Sequence, residues 1–137
     1  MNTISAIVLA AGESRRMGGA NKLLLPVGGV PALRRVVETL TAGGLQEIVV
    51  VLGYQRELLA PLLDGLDVRT VFNERFRDGQ MTSVWAGMSA LSRPCDGVMI
   101  CLGDQPLLTP SDLMALIAAF AEIGDRSILV PIYLGQR

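Results

Sequence analysis

Apolar runs of β type alternate along this chain with stretches whose apolar positions recur at helical spacing. The runs Ile4–Leu9, Glu47–Leu52, Val68–Phe72, Gly97–Leu102 and Ser127–Ile132 predict strands. Helical patterns lie between them, at about Pro31–Ala42, Gln55–Leu63, Met81–Leu91 and Pro110–Ile123. The first helix opens on Pro31, where a first-turn proline belongs, and stops at Gly43-Gly44. The last has Thr109 as its cap, Pro110 at the first helical position and Asp112 in the first turn. Its residues Leu113, Leu116, Ile117 and Phe120 recur at helical spacing, and Trp85 and Met88 follow Met81 in the same way and are expected in the core. Strands alternating with helices imply parallel pairing through right-handed crossovers. The expected architecture is an open, mostly parallel three-layer α/β sheet.

At 137 residues the chain is about one domain long, so 1–137 is read as a single domain. Half of it is apolar and only 4% is aromatic, the Leu, Val, Ile and Ala balance of buried parallel strands under helices. Twelve basic against thirteen acidic residues leave no case for a nucleic-acid or membrane surface. The cations are nonetheless uneven: Arg15, Arg16, Lys22, Arg34 and Arg35 fall in the first third, where an anionic ligand would go. Histidine is absent, which excludes Ser–His–Asp triads, Cys–His pairs and His-based zinc sites. Cys95 and Cys101 follow no metal-ligand spacing and are read as reduced structural cysteines. No apolar run approaches the about 20 residues of a membrane span. Met1-Asn2-Thr3 lacks the basic start of a secretory signal, so a cytoplasmic protein is expected.

Ligands of such sheets bind beyond the carboxyl ends of strands, near the point where strand order reverses. Two polar segments occupy strand ends. The first strand empties into a loop with Gly12, Gly18, Gly19, Arg15, Arg16 and Lys22, the make-up of a polyphosphate grip. It is not a Walker A loop, because Leu23 follows Lys22, and the glycine spacing is not that of a dinucleotide fold. Ala10, Ala11 and Gly12 are small enough for a base and ribose to lie against the main chain. Arg16 can bridge phosphate oxygens, and Lys22 supplies a point charge near the phosphorus under attack. Arg15 is read as a solvated neighbour, and Glu13 is given no role. The fourth strand ends in Gly103-Asp104-Gln105-Pro106, whose carboxylate suits Mg²⁺ or, in the plainer reading, a turn that bonds its own backbone. A third segment, Asn73 to Ser83, combines Gly79 with Gln80 and Ser83 near a helix start, for reading a base edge or holding a ribose hydroxyl, or for ordinary turn and capping chemistry.

Three of these segments resemble motifs of one family. Leu9-Ala10-Ala11-Gly12-Glu13-Ser14-Arg15-Arg16-Met17-Gly18 with Lys22 resembles the L-A-A-G-x-S-x-R-M-G…K signature of small nucleotidyltransferases. Gly103-Asp104-Gln105-Pro106-Leu107-Leu108-Thr109 is similar to their G-D-x-P-L-[LIV]-[TS] metal motif, and Asn73, Gly79 and Ser83 to an N…G-x-x-x-S pattern. The resemblance is to the molybdenum-cofactor nucleotidyltransferases. It implies a Rossmann-like fold of the nucleotide-diphospho-sugar-transferase kind and transfer of CMP or GMP from CTP or GTP to molybdopterin with release of pyrophosphate. The Leu-Ala-Ala-Gly form and the Asp104-Gln105-Pro106 segment look more like the cytidylyl branch than the guanylyl one.

The resemblance further implies that Arg16, Lys22 and Asp104 carry catalysis and that Asp104 binds Mg²⁺. Leu9, Ala10, Ala11, Gly12, Ser14, Arg16, Lys22, Asn73, Gly79, Gln80 and Ser83 would hold the nucleotide. An ionised substrate phosphate as nucleophile needs no general base, which suits a histidine-free site. Sugar-phosphate nucleotidyltransferases share the first loop, and a non-catalytic nucleotide-binding module is a further alternative. Members of the family continue for some tens of residues beyond position 137, so the chain reads as cut short, with its acceptor part missing. An exposed sheet edge is then expected to invite a homodimer.

Overall fold

The computed structural model describes residues 3–13, 21–105 and 109–123. β1, Ile4–Ala10, is buried along its whole length, as a continuous apolar run between two parallel neighbours must be. A small antiparallel hairpin follows, β2 (Pro26–Val27) and β3 (Val30–Pro31), turning on Gly28 and Gly29 at φ +62° and +84°. Two successive left-handed residues are what a two-residue hairpin turn requires, and glycine supplies them without strain.

α1 (Ala32–Thr41) packs Leu33, Val36, Val37 and Leu40 onto the sheet. β4 (Glu47–Leu52) leads into α2 (Arg56–Leu59), which tightens to a 3₁₀ turn over Ala60–Leu63. Pro61, with no N–H to give, accounts for that change from the single helix expected over 55–63. β5 (Arg69–Phe72), a 3₁₀ turn at Phe76–Asp78, α3 (Gln80–Ala90), β6 (Gly97–Leu102) and α4 (Pro110–Ile123) complete the described chain. Thr109 caps α4 reciprocally: its hydroxyl accepts the Asp112 N–H at 3.1 Å, and the Asp112 carboxylate accepts the Thr109 N–H at 3.0 Å. The strand expected over 127–132 lies outside the described residues.

The main sheet is parallel with order β5-β4-β1-β6. Ala6, Val8, Ala10, Val50 and Leu52 face α1, α2 and Leu113 of α4 on one side; Ile7, Leu9, Val49 and Val51 face α3 on the other. These are the three layers read from the sequence. No helix among the described residues is long and apolar enough to cross a membrane.

One core assignment is overturned. Trp85 and Met88 are 60% and 47% exposed, and Met81 is 57% exposed. The reason is the approach of α3 to the sheet. Gly87 lies on Ile7 so closely that an added Cβ would collide with it, and Ser83 is buried beside it. Small residues fill the inward face, and the large ones are turned out.

Candidate functional site

Strand order reverses at β1. The chain moves outward from β1 through β4 to β5 and then crosses back to place β6 on the other side of β1. At the carboxyl end of that β1–β6 pair, Leu9 stands opposite Leu102, and the Gly103 N–H donates to the Leu9 carbonyl at 3.0 Å. A Cβ on Gly103 would stand 3.1 Å from Leu23 and Leu33 carbons and 3.2 Å from the Leu9 oxygen, so the absence of a side chain permits this docking. Asp104 therefore emerges beside the loop that leaves β1.

That loop leaves through Ala11, Gly12 and Glu13 and re-enters the description at Asn21. The buried Asn21 side chain accepts the Leu23 N–H at 3.0 Å and so caps a 3₁₀ turn, Lys22–Leu24. The turn sinks Leu23 into the core and leaves Lys22 at the surface of a crevice.

Asn73, at the end of β5, shapes the third wall. Its amide donates to the Thr82 and Ser83 hydroxyls, both at 2.9 Å, and its carbonyl oxygen accepts the Arg75 N–H at 3.0 Å. Gly79 at φ +111°, ψ 158° occupies backbone space that side chains forbid, and it turns the chain into α3.

These walls enclose an open crevice of about 600 Å³. Of the residues singled out above, Leu9, Ala10, Ala11, Gly12, Lys22, Gly79, Gln80, Ser83 and Asp104 line it. Asn73 does not; its polar atoms are spent bracing Thr82, Ser83 and Arg75. Ser14 and Arg16 lie outside the described residues, as do residues 106–108. Sequence reasoning missed Phe76 and Arg77, which line the crevice, and set aside Glu13, whose carboxylate pairs with the Arg77 guanidinium at 3.7 Å within it. The signal for Arg77 was its place between Asn73 and Gly79.

The available chemistry is that of cations, two carboxylates, of which Glu13 pairs with Arg77, and a helix start. Among the described residues no group of three His, Cys, Asp or Glu side chains converges on one point. Burial pushes the Cys101 thiol up to about 11, so it is no thiolate nucleophile at neutral pH.

Residues 6–137 match the family model of the MobA-like NTP transferase domain. The chain belongs to that family. Its relatives include the bifunctional protein GlmU of Allorhizobium ampelinum, 35% identical over 130 residues that cover 93% of this chain and 28% of GlmU. A nucleotidyl transferase from Methanothermobacter thermautotroptrophicus superposes with TM-score 0.78 at 32% identity, over 86% of this chain and 58% of that one. A Mycobacterium tuberculosis protein solved as a complex with manganese shares the fold with TM-score 0.69 at 21% identity, over 86% and 59%. This MobA-like NTP transferase domain thus spans little more than a quarter of the length of its GlmU relatives. The comparisons place it at the level of the nucleotidyltransferase domain, and the molybdenum-cofactor branch is not singled out by them.

Proposed function

We propose that the chain binds a nucleoside triphosphate in the crevice and transfers its nucleotidyl group to a phosphate of a small acceptor. The acceptor phosphate oxygen forms the new bond to the α-phosphorus, the α–β bond breaks, and pyrophosphate leaves. The observation that carries the reading is the lining of one crevice by Lys22, Asp104 and the end of β1.

Gly12 and its neighbours offer main-chain N–H groups to phosphate oxygens, and the Leu9–Ala11 wall leaves room for base and ribose. Gln80 and Ser83 face the same space from the start of α3. Lys22 offsets charge that builds around the α-phosphate, with Arg16 assigned to the neighbouring phosphates. Because the nucleophile is ionised already, positioning and charge compensation suffice.

Asp104 fits a divalent cation by its chemistry. It is an exposed oxygen donor at the crevice, and Mg²⁺ is commonly held by one or two carboxylates plus substrate phosphates. Bound there, the ion would supply positive charge to the phosphate oxygens.

A sugar phosphate is the favoured acceptor, a reading supported by the GlmU relative named above. Molybdopterin, with CTP or GTP as donor, is the second reading and rests on the letters Leu9-Ala10-Ala11-Gly12 and Gly103-Asp104-Gln105. A second copy paired along β6, one of the two edges of the described sheet, belongs to the same proposal.

The test is pyrophosphate release from each ribonucleoside triphosphate with Mg²⁺, offered sugar 1-phosphates or molybdopterin. Release that depends on a sugar phosphate supports the favoured acceptor, and release only with molybdopterin supports the second. Triphosphate binding without release under any acceptor would reduce the chain to a nucleotide-binding module.

A further inference from the structure

Both stems of the loop between β1 and the Lys22 turn are fastened to one short segment, Gly53-Tyr54-Gln55. At the first stem the Tyr54 N–H donates to the Ala11 carbonyl at 3.0 Å. Gly53 lies against the same residue: an added Cβ would stand 2.8 Å from the Ala11 Cβ and 2.6 Å from that of Phe76. At the second stem the Asn21 amide donates to Gln55 Oε1 at 3.0 Å.

Gln55 is held in a costly conformation. It has φ 56° and ψ 37°, and it is the one non-glycine residue with positive φ among those described. Left-handed backbone disfavours a residue with a Cβ, and glycine would adopt it freely. The Gln55 main chain has its own task, since its carbonyl accepts the Leu58 and Leu59 N–H groups at 2.9 and 3.2 Å and starts α2. Glycine could perform that task as well. What glycine could not supply is the side-chain oxygen that meets Asn21.

Asn21 is 4% exposed, and its carboxamide engages both Leu23 and Gln55. One end shapes the turn that carries Lys22, through the Leu23 N–H, and the other is oriented by Gln55. A buried carboxamide tied at both ends has one orientation, and the turn it caps inherits that orientation.

We propose that Gln55 is a positioning residue for Lys22, acting through Asn21. The inference rests on the assignment of Lys22 to the triphosphate made above. Gln55 trades backbone strain for a side-chain tether, which joins the start of α2 to the phosphate loop and presents the Lys22 ammonium at a fixed place in the crevice.

Gln55→Gly separates the tether from the fold, because it removes the side chain while relieving the backbone. Two measurements on the full chain decide the matter. Without nucleotide, amide exchange at Leu23 should rise about tenfold in Gln55→Gly, the effect of loosening one buried hydrogen bond. Exchange at Ile7 and Val50 and the melting temperature should not fall below wild type. Gln55→Asn, which tolerates the left-handed backbone but is one methylene short, should behave like Gln55→Gly.

With Mg²⁺ and nucleoside triphosphate, Gln55→Gly should lower affinity or turnover only where Lys22 is present. In a Lys22→Ala background its further effect should be less than twofold, the non-additivity of one residue acting through another. Unchanged exchange at Leu23, or losses that add in the double variant, would overturn the inference. A wild-type chain that binds no triphosphate would remove the assignment of Lys22, and Leu23 exchange would still decide whether the tether exists.

Discussion

The Gly103 N–H meets the Leu9 carbonyl at 3.0 Å, a bond between two chain segments about ninety residues apart in sequence that the β1–β6 ladder already sets side by side. It continues the β1–β6 register past the end of the sheet, so that Asp104 and the loop leaving β1 open onto the same crevice. Gly103 matters because it brings backbone to backbone without a side chain between.

Asp104→Asn keeps the size of the side chain and removes its charge. Triphosphate affinity should become independent of Mg²⁺, falling at least tenfold in its presence, with the melting temperature unchanged. Titration calorimetry with and without the cation reads this directly. An unaltered Mg²⁺-dependent affinity would remove Asp104 from the metal site.

Lys22→Ala should act on the rate more than on binding. A preorganised charge aimed at the reacting phosphate is worth about 3 kcal/mol, on the order of a hundredfold in kcat. Steady-state kinetics check it: a rise in KM with kcat intact would assign Lys22 to uniform binding instead.

Much of this was legible in the sequence because it depended on local pattern. Continuous apolar runs marked β1, β4 and β6, and the Thr109-Pro110-Asp112 cap announced α4. Asp104 and Lys22 stood out as charges at strand ends, where the topology of a parallel sheet collects ligands. What escaped depended on packing between distant segments. The outward turn of Trp85 follows from the closeness of Gly87 to Ile7, which no helical periodicity records. The bracing role of Asn73 and the strain at Gln55 each need a partner many residues away.

Glu47 ties three elements together. Its carboxylate accepts the Ser92 N–H at 2.9 Å, the Ser92 hydroxyl at 2.7 Å, the Arg93 N–H at 3.2 Å and Arg69 at 3.0 Å. Those donors, the Ser92 hydroxyl foremost, pull its pKa from 4.5 down to about 2. The folded state therefore binds the proton more weakly than the unfolded chain. The resulting stability is complete above pH 4.5 and is lost as pH falls from there towards 2. Glu47→Gln should lower stability at pH 7 by about 1–3 kcal/mol and flatten that acid dependence, as followed by urea midpoints across the range.

Gly79→Ala puts a Cβ on backbone at φ +111°. The strain should cost about 1–3 kcal/mol. The entry to α3 should shift with it, weakening triphosphate binding more than an exposed change such as Met81→Ala. Thermal melts and nucleotide titrations of the two variants make the comparison.

The account stands most directly on where a nucleotide sits. Backbone NMR during titration with Mg²⁺ and CTP or GTP reads the whole surface at once. Shifts should gather at Gly12, Lys22, Gly79, Gln80, Ser83 and Asp104, and those at Asp104 should vanish when the cation is withheld. Shifts centred on the exposed Met81–Trp85–Met88 face, or none at the crevice under any triphosphate, would contradict it.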